Sequence, residues 1–334
     1  MSGRRVSIAL RLVNPVFRGV CQSAFRRYHD DLDGMRKFLD RAGVASGLLA
    51  RPAPGCRIVD GELGGLTTRE FHPARPQPGR TVLYLHGGGF LMYARSAYTG
   101  FLSRLANDLQ TRVIVPAYRL APEHPFPAAI DDCLRAYEAL LDAGQEPGEL
   151  MIAGESAGAN AALVTLQRAR DASLPMPAGA IMLSGGFDFS WASPSITINA
   201  RRDTAVGARG LAFLQRWYRP DVDATDPLIS PVFGDFAGLP PLLFQTGHTE
   251  VLRDDSVRAT ERARAAGVPV WLEVFPLVPH AWHQLGTWLP ETRAALRQIG
   301  QFADAIHQRG APREYRSTVA LGYRGSRRAQ PRDG

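Results

Sequence analysis

Ser156 sits in the pentapeptide Gly154-Glu155-Ser156-Ala157-Gly158, between an apolar run at 150–153 and an Ala- and Leu-rich stretch at 157–170. The run reads as a short buried strand and the stretch as a helix. A serine with glycines two residues to either side can occupy the sharp turn between them. The glycines relieve crowding and leave the hydroxyl exposed at the carboxyl edge of a sheet, placed for nucleophilic attack. Gly-x-Ser-x-Gly also occurs in plain loops, so the pentapeptide gains weight only from what accompanies it.

Upstream, the run 81–85 leads straight into His86-Gly87-Gly88-Gly89. Acyl transfer needs backbone N–H groups aimed at the oxygen of a tetrahedral intermediate, and consecutive glycines after a strand supply them without side chains in the way. Gly87, Gly88 and Ala157, the residue after the serine, are the expected donors. Gly89 completes the motif, and His86 is expected to brace the loop by hydrogen bonding. A phosphate-binding loop is the competing reading of the glycines. It lacks its Lys-Ser/Thr pair here, and the Gly-x-Gly-x-x-Gly spacing is not met.

A nucleophilic serine needs a base and an acid to orient it, in the chain order Ser, Asp/Glu, His. The strand-like run 242–246 is followed by Gly247-His248-Thr249-Glu250, and the run 270–275 by a loop carrying Pro279-His280. Glu250 and His280 are the expected acid and base, both just past strand ends, on the edge where open α/β sheets bind ligands. His283 competes for the base role from one helical turn further on. Asp254 and Asp255 compete with Glu250, but capping and the helix dipole explain acidic residues in a first turn. Glu155 is expected to make a structural hydrogen bond, and Glu123 and His124 to fix a loop beneath the site.

These residues resemble the hormone-sensitive-lipase-like branch of the α/β-hydrolases, which includes many bacterial family IV carboxylesterases. The resemblance rests on His86-Gly87-Gly88-Gly89, on the Ser156 pentapeptide, and on Tyr118-Arg119-Leu120-Ala121-Pro122-Glu123-His124 with its continuation Pro125-Phe126-Pro127-Ala128-Ala129. Ser230-Pro231 and Glu250-Val251-Leu252-Arg253-Asp254-Asp255 extend it to roughly residues 50–305. Many relatives carry Asp where this chain has Glu250. The resemblance implies a serine carboxylesterase acting through an acyl-enzyme on small-molecule esters with short to medium acyl chains, with no metal or organic cofactor. It also implies an α/β-hydrolase fold with a helical cap above the site. An acyltransferase or amidase using the same residues remains an alternative, as does a receptor that binds in the pocket without turnover.

The formal net charge of +7 and the pI near 9.7 invite a nucleic-acid reading. The basic residues are nearly all Arg, with Lys37 the one lysine, and residues 313–334 hold six Arg against Glu314 and Asp333. A tail of that composition is expected to be solvated, and no DNA- or RNA-binding module accompanies it, so no specific nucleic-acid partner is expected. Cys21, Cys56 and Cys133 are odd in number and lack metal-ligand spacing, which points to reduced thiols in a cytoplasmic protein. Arg4-Arg5 before Val6-Ser7-Ile8-Ala9-Leu10 resembles the start of a signal peptide, but Arg11 interrupts the run. An amphipathic helix packed on the protein is the expectation, with a peripheral membrane helix as the alternative. No apolar stretch is long enough to span a bilayer, and a homodimer is compatible with the sequence.

The elements that must position these residues alternate. Strands are expected near 67–72, 81–85, 112–116, 149–153, 179–184, 242–246 and 270–275, and helices near 98–109, 127–143, 157–170, 253–266 and 291–308. This order implies a mainly parallel central sheet with helices on both faces. Residues 1–50 are expected to form an N-terminal helical cap segment, with Leu32, Met35, Phe38 and Leu39 on one helix face. Residues 51–310 would form the catalytic domain, with 187–225 as a second cap segment and 311–334 as a disordered basic tail.

Overall fold

The structure, a computed structural model, describes residues 6–49, 51–218 and 221–307. The expected basic tail at 311–334 lies outside the described residues. Two helices open the chain, α1 (Ile8–Arg27) and α2 (Leu32–Leu49), followed by a hairpin of β1 (Arg57–Leu63) and β2 (Leu66–His72). The alternating part contains β3 (Thr81–Leu85), α3 (Thr99–Leu109), β4 (Arg112–Pro116), α4 (Ala128–Asp142), β5 (Leu150–Glu155), α5 (Ala157–Asp171) and β6 (Gly179–Leu183). After α6 (Pro194–Ile198) and α7 (Gly207–Trp217) it resumes with β7 (Leu242–Gly247), α8 (Arg253–Ala265), β8 (Val270–Phe275) and α9 (Pro290–His307).

The strands form one sheet in the order β1-β2-β4-β3-β5-β6-β7-β8. The pairs β1–β2 and β2–β4 are antiparallel, and all pairs from β4 to β8 are parallel. Every residue of β3, β5, β6 and β7 is buried, as unbroken apolar runs require when helices cover both faces. Helices α4, α5 and α8 pack on one face, around Leu83, Ile152 and Phe244, while α3 and α9 cover the other, around Tyr84, Met151 and Leu243.

The expected strands and helices are found with ends shifted by two residues or fewer, but β1 was not expected. Its sequence, RIVDGEL, is half polar, and as an edge strand it is largely exposed. The signal for it is Gly64-Gly65, whose φ values of 56° and 75° make the two-residue hairpin turn that pairs Leu63 with Leu66.

Strand order reverses between β3 and β5, so the loops leaving these two strands diverge and open a crevice at the carboxyl edge. Helices α1, α2 and α7 lie over that crevice. Phe25 of α1 packs on Phe213 of α7 at 5.7 Å between ring centroids, and Trp217 Nε1 donates to the His29 carbonyl. Helix α2, which carries the exposed Lys37, turns the buried Leu32 and Met35 inward. Its Arg36 grips Glu123 through both terminal guanidinium nitrogens (2.6 and 2.8 Å) and also donates to the Leu91 and Ala121 carbonyls. Glu123 and His124 are exposed, so the expected loop-fixing role beneath the site is corrected: Glu123 fastens α2 from outside. No described helix is long and apolar enough to cross a membrane.

Candidate active site

Ser156 links β5 to α5 with φ 55° and ψ −118°, a conformation that costs a non-glycine residue about 1–3 kcal/mol. The surroundings hold it there. Its N–H donates to the Leu183 carbonyl at 2.9 Å. A Cβ on Gly154 would stand 2.2 Å from the Gly158 carbonyl oxygen, and one on Gly158 would stand 2.0 Å from that of Leu85. Strands β3 and β5 and the start of α5 therefore meet backbone to backbone, and only glycine fits at either position.

The loop after β3 is braced through His86. Its ring is stacked between Tyr93 and Tyr118, with centroids 3.8 and 4.0 Å away. Its Nδ1 donates to the Gly87 carbonyl at 2.7 Å. Burial pushes its pKa down to about 3, so it is a neutral brace, and its bracing goes beyond the expected hydrogen bond to include stacking. The Gly87 N–H donates to the Tyr98 hydroxyl at 2.8 Å, and that hydroxyl donates in turn to Glu155 Oε2 at 2.7 Å. This corrects one expectation: the Gly87 N–H is committed to anchoring the loop and does not face a substrate oxygen. Gly88 and Gly89 line the crevice beside Ser156.

On the far side, His280 Nδ1 donates to Glu250 Oε2 at 2.7 Å. The Glu250 side chain is fully buried, and its other oxygen accepts from the Ser184 hydroxyl at 2.9 Å and from the Gly247 N–H. Burial raises the carboxyl pKa, opposed by the hydrogen bond and charge of His280. Glu155 Oε1 lies 3.5 Å from His280 Nε2, and its own pKa is raised by burial, against the charge of His280 and the Tyr98 hydrogen bond. Burial would lower the His280 pKa, but the Glu250 hydrogen bond and the charges of Glu250 and Glu155 outweigh it and raise it to about 9. The imidazole is thus held between two carboxylates, one on each nitrogen.

Ser156 and His280 line one cavity of about 220 Å³, roofed by Phe17, Cys21 and Phe25 of α1 and by Met35 and Phe38 of α2. A second cavity of about 30 Å³ opens on the other side of Ser156, against Ala157, Phe189, Trp191, Tyr218 and Leu252. Leu214 of α7 borders both.

Residues 82–284 match the family described by the α/β-hydrolase fold. An acetyl-hydrolase of Streptomyces hygroscopicus is 39% identical over 81% of this chain and 89% of that protein. The crystal structure of an esterase from the bacterial hormone-sensitive lipase family superposes with a TM-score of 0.81 at 30% identity, covering 92% of this chain and all of that one. The chain belongs to the hormone-sensitive-lipase-like carboxylic ester hydrolases of the α/β-hydrolase superfamily. An esterase of Acinetobacter venetianus, 34% identical over 76% of this chain and 84% of that protein, is a further relative of the enzyme.

The enzyme brings Ser156, His280, Glu250, Gly88, Gly89 and Ala157 to one edge and leaves the competing residues elsewhere. His283 is buried with Nε2 on Gln245 Oε1 at 3.0 Å, and burial followed by the charge of His280 lowers its pKa to about 3. Asp254 pairs with Arg253 at 2.7 Å. Asp255 is more than a first-turn acid, because it is buried and accepts from the Phe187 and Asp188 N–H groups at 2.8 and 3.1 Å and from the Ser193 hydroxyl. Burial pushes its pKa to about 7.

Sequence reasoning missed Tyr98, Ser184 and Gln284, which donates to Glu155 Oε2 at 3.0 Å. Ser184 stands just past β6 on the edge that carries Ser156, and that position was a usable signal. Tyr98 and Gln284 lie outside any motif.

Proposed function

We propose that the enzyme hydrolyses carboxylic esters through an acyl-enzyme on Ser156, with His280 as general base and Glu250 as the acid that orients it. The observation that carries this reading is the 2.7 Å bond from His280 Nδ1 to the buried Glu250, which fixes the tautomer whose Nε2 can accept a proton inside the cavity lined by Ser156. Ser156 Oγ attacks the acyl carbon as its proton passes to His280 Nε2. The N–H groups of Gly88, Gly89 and Ala157 receive the oxyanion, Gly87 being committed to Tyr98. The C–O bond breaks as His280 returns the proton to the departing alcohol. Water then attacks the acyl carbon with His280 again as base, releasing the acid and restoring Ser156.

Helices α1 and α2, with residues 187–225, act in this reading as a cap that shapes the ester site. The two cavities meeting at Ser156 receive the two halves of the ester. One half has only about 30 Å³, and the other has about 220 Å³ of mainly apolar space, which suits short to medium chains. The name acetyl-hydrolase on the Streptomyces hygroscopicus relative supports a short acyl group.

The deciding experiment is Ser156→Ala. Its kcat on p-nitrophenyl acetate should fall by ~10⁶ with the fold retained, and an organophosphate should leave its adduct on Ser156 in the wild type. A purified Ser156→Ala protein keeping a tenth of the wild-type rate would sink the proposal. Ester panels lengthened separately on the acyl and alcohol sides should show a sharp fall in kcat/KM on one side only.

A further inference from the structure

Helix α1 presents two apolar faces. The inner one, with Phe17, Cys21 and Phe25, roofs the cavity. The outer one carries Ile8, Leu12, Val16 and Val20, spaced at every fourth residue along one line of the helix and 77%, 69%, 67% and 48% exposed. They are four of the ten large apolar side chains exposed among the described residues. A helix needs only one apolar face to pack on its own protein, so the second is unexplained by folding.

The charges say what covers it. Helix α1 contains Arg11, Arg18, Arg26 and Arg27 and neither Asp nor Glu, and all four arginines are exposed. At the angular spacing of a helix, Arg11 flanks the apolar strip beside Ile8 and Arg26 and Arg27 close its carboxyl end, while Arg18 lies on the other side of the helix from Val16 and Val20. The helix is also pinned in place, because Ser7 N and Oγ both donate to Glu291 (2.7 and 2.9 Å) and Asn14 Nδ2 donates to the Leu277 carbonyl at 2.5 Å. The strip is therefore a fixed part of the molecular surface.

We infer that the outer face of α1 docks the enzyme on an anionic lipid surface, its apolar strip entering the headgroup boundary while Arg11, Arg26 and Arg27 meet the lipid charges. A second copy of the chain fits less well, since self-pairing of the strip would bring two sets of three arginines, Arg11, Arg26 and Arg27, to the same interface. An anionic bilayer neutralises the same charges and takes up the same apolar side chains. This inference is independent of the chemistry at Ser156.

The test is sedimentation of the full-length protein with vesicles of phosphatidylcholine alone and of phosphatidylcholine with phosphatidylglycerol, for wild type and Leu12→Glu/Val16→Glu. Wild type should partition onto the anionic vesicles at least tenfold more strongly than onto the neutral ones, and the double variant should lose at least tenfold of that binding. Hydrolysis of soluble p-nitrophenyl acetate by the variant should be unchanged, which reports its folding. If the glutamates impair folding, Leu12→Ser/Val16→Ser should give the same loss in smaller measure. Equal binding by variant and wild type would assign the affinity to the basic residues beyond α9 and overturn the proposal, as would equal affinity for both vesicle types or for neither. A wild-type dimer that becomes monomeric in the variant, without vesicle binding, would assign the strip to a second copy and overturn it too.

Discussion

At the scale of single residues, the base of the proposed mechanism is an imidazole whose strength is set from both sides. In that mechanism His280 must be neutral to accept the serine proton, and its pKa, raised to about 9 by the flanking carboxylates, favours the protonated form at neutral pH. We therefore expect kcat/KM for a soluble ester to climb with pH through that region and level off above it. Glu155 contributes to the rise, standing 3.5 Å from the nitrogen that takes the proton. Replacing it with glutamine removes a negative charge, so the acid limb of the profile should move to lower pH. An unmoved limb would show that Glu155 only supports Tyr98 and Gln284. In the proposed mechanism Glu250 contributes orientation as well as charge. Glu250→Gln should lower kcat by ~10³–10⁴ while leaving the protein folded. Asp255→Asn is the control for its neighbours, and its effect should fall mainly on melting temperature, since that carboxylate holds the 187–188 backbone.

At the scale of elements, α6 and the turns after it clamp the loop that delivers Glu250. Ser195 Oγ donates to the Val251 carbonyl at 2.6 Å, and Asn199 Nδ2 donates to the carbonyls of His248 and Glu250 at 3.0 and 2.8 Å. Asp203 Oδ2 accepts from the Val251 N–H at 2.9 Å. Asn199→Ala releases two carbonyls at once, and the proposed acid should then wander by a fraction of an ångström. Misplacement of catalytic groups on that scale lowers rate by up to ~10²-fold, so kcat should fall within that range with KM little changed. A larger change in KM than in kcat would make Asn199 part of the pocket wall. Such ties mark the limit of what sequence makes legible. The central strands are continuous apolar runs, and Ser156, Glu250 and His280 each follow one, so position alone points to them. The clamp joins residues 48 to 56 apart in a stretch with no period. The partner of the Gly87 N–H, Tyr98, is likewise set by how α3 enters the fold, and no spacing in the glycine motif announces it.

At the scale of the whole molecule, a buried sheet carries the candidate active site on one edge and a small group of helices lies over it, so the two parts are built of different material. The sheet's residues were readable because parallel strands covered on both faces admit few polar positions. The roof was readable only as helices with apolar faces, since which of its side chains reach Ser156 depends on packing between α1, α2 and α7. One property of that roof has an experimental use. Lys37, the molecule's single ε-amine, is exposed on α2, beside the arginine that holds the Leu91 and Ala121 carbonyls. An amine-directed fluorophore will therefore attach, apart from the chain's α-amino group, at one point on the helix coupled to the loop of Gly88. Its anisotropy and emission then report roof motion without any engineered cysteine. A change on titration with a phosphonate inhibitor would time the opening and closing of the cavity, and a constant signal would mean that esters enter past a rigid roof.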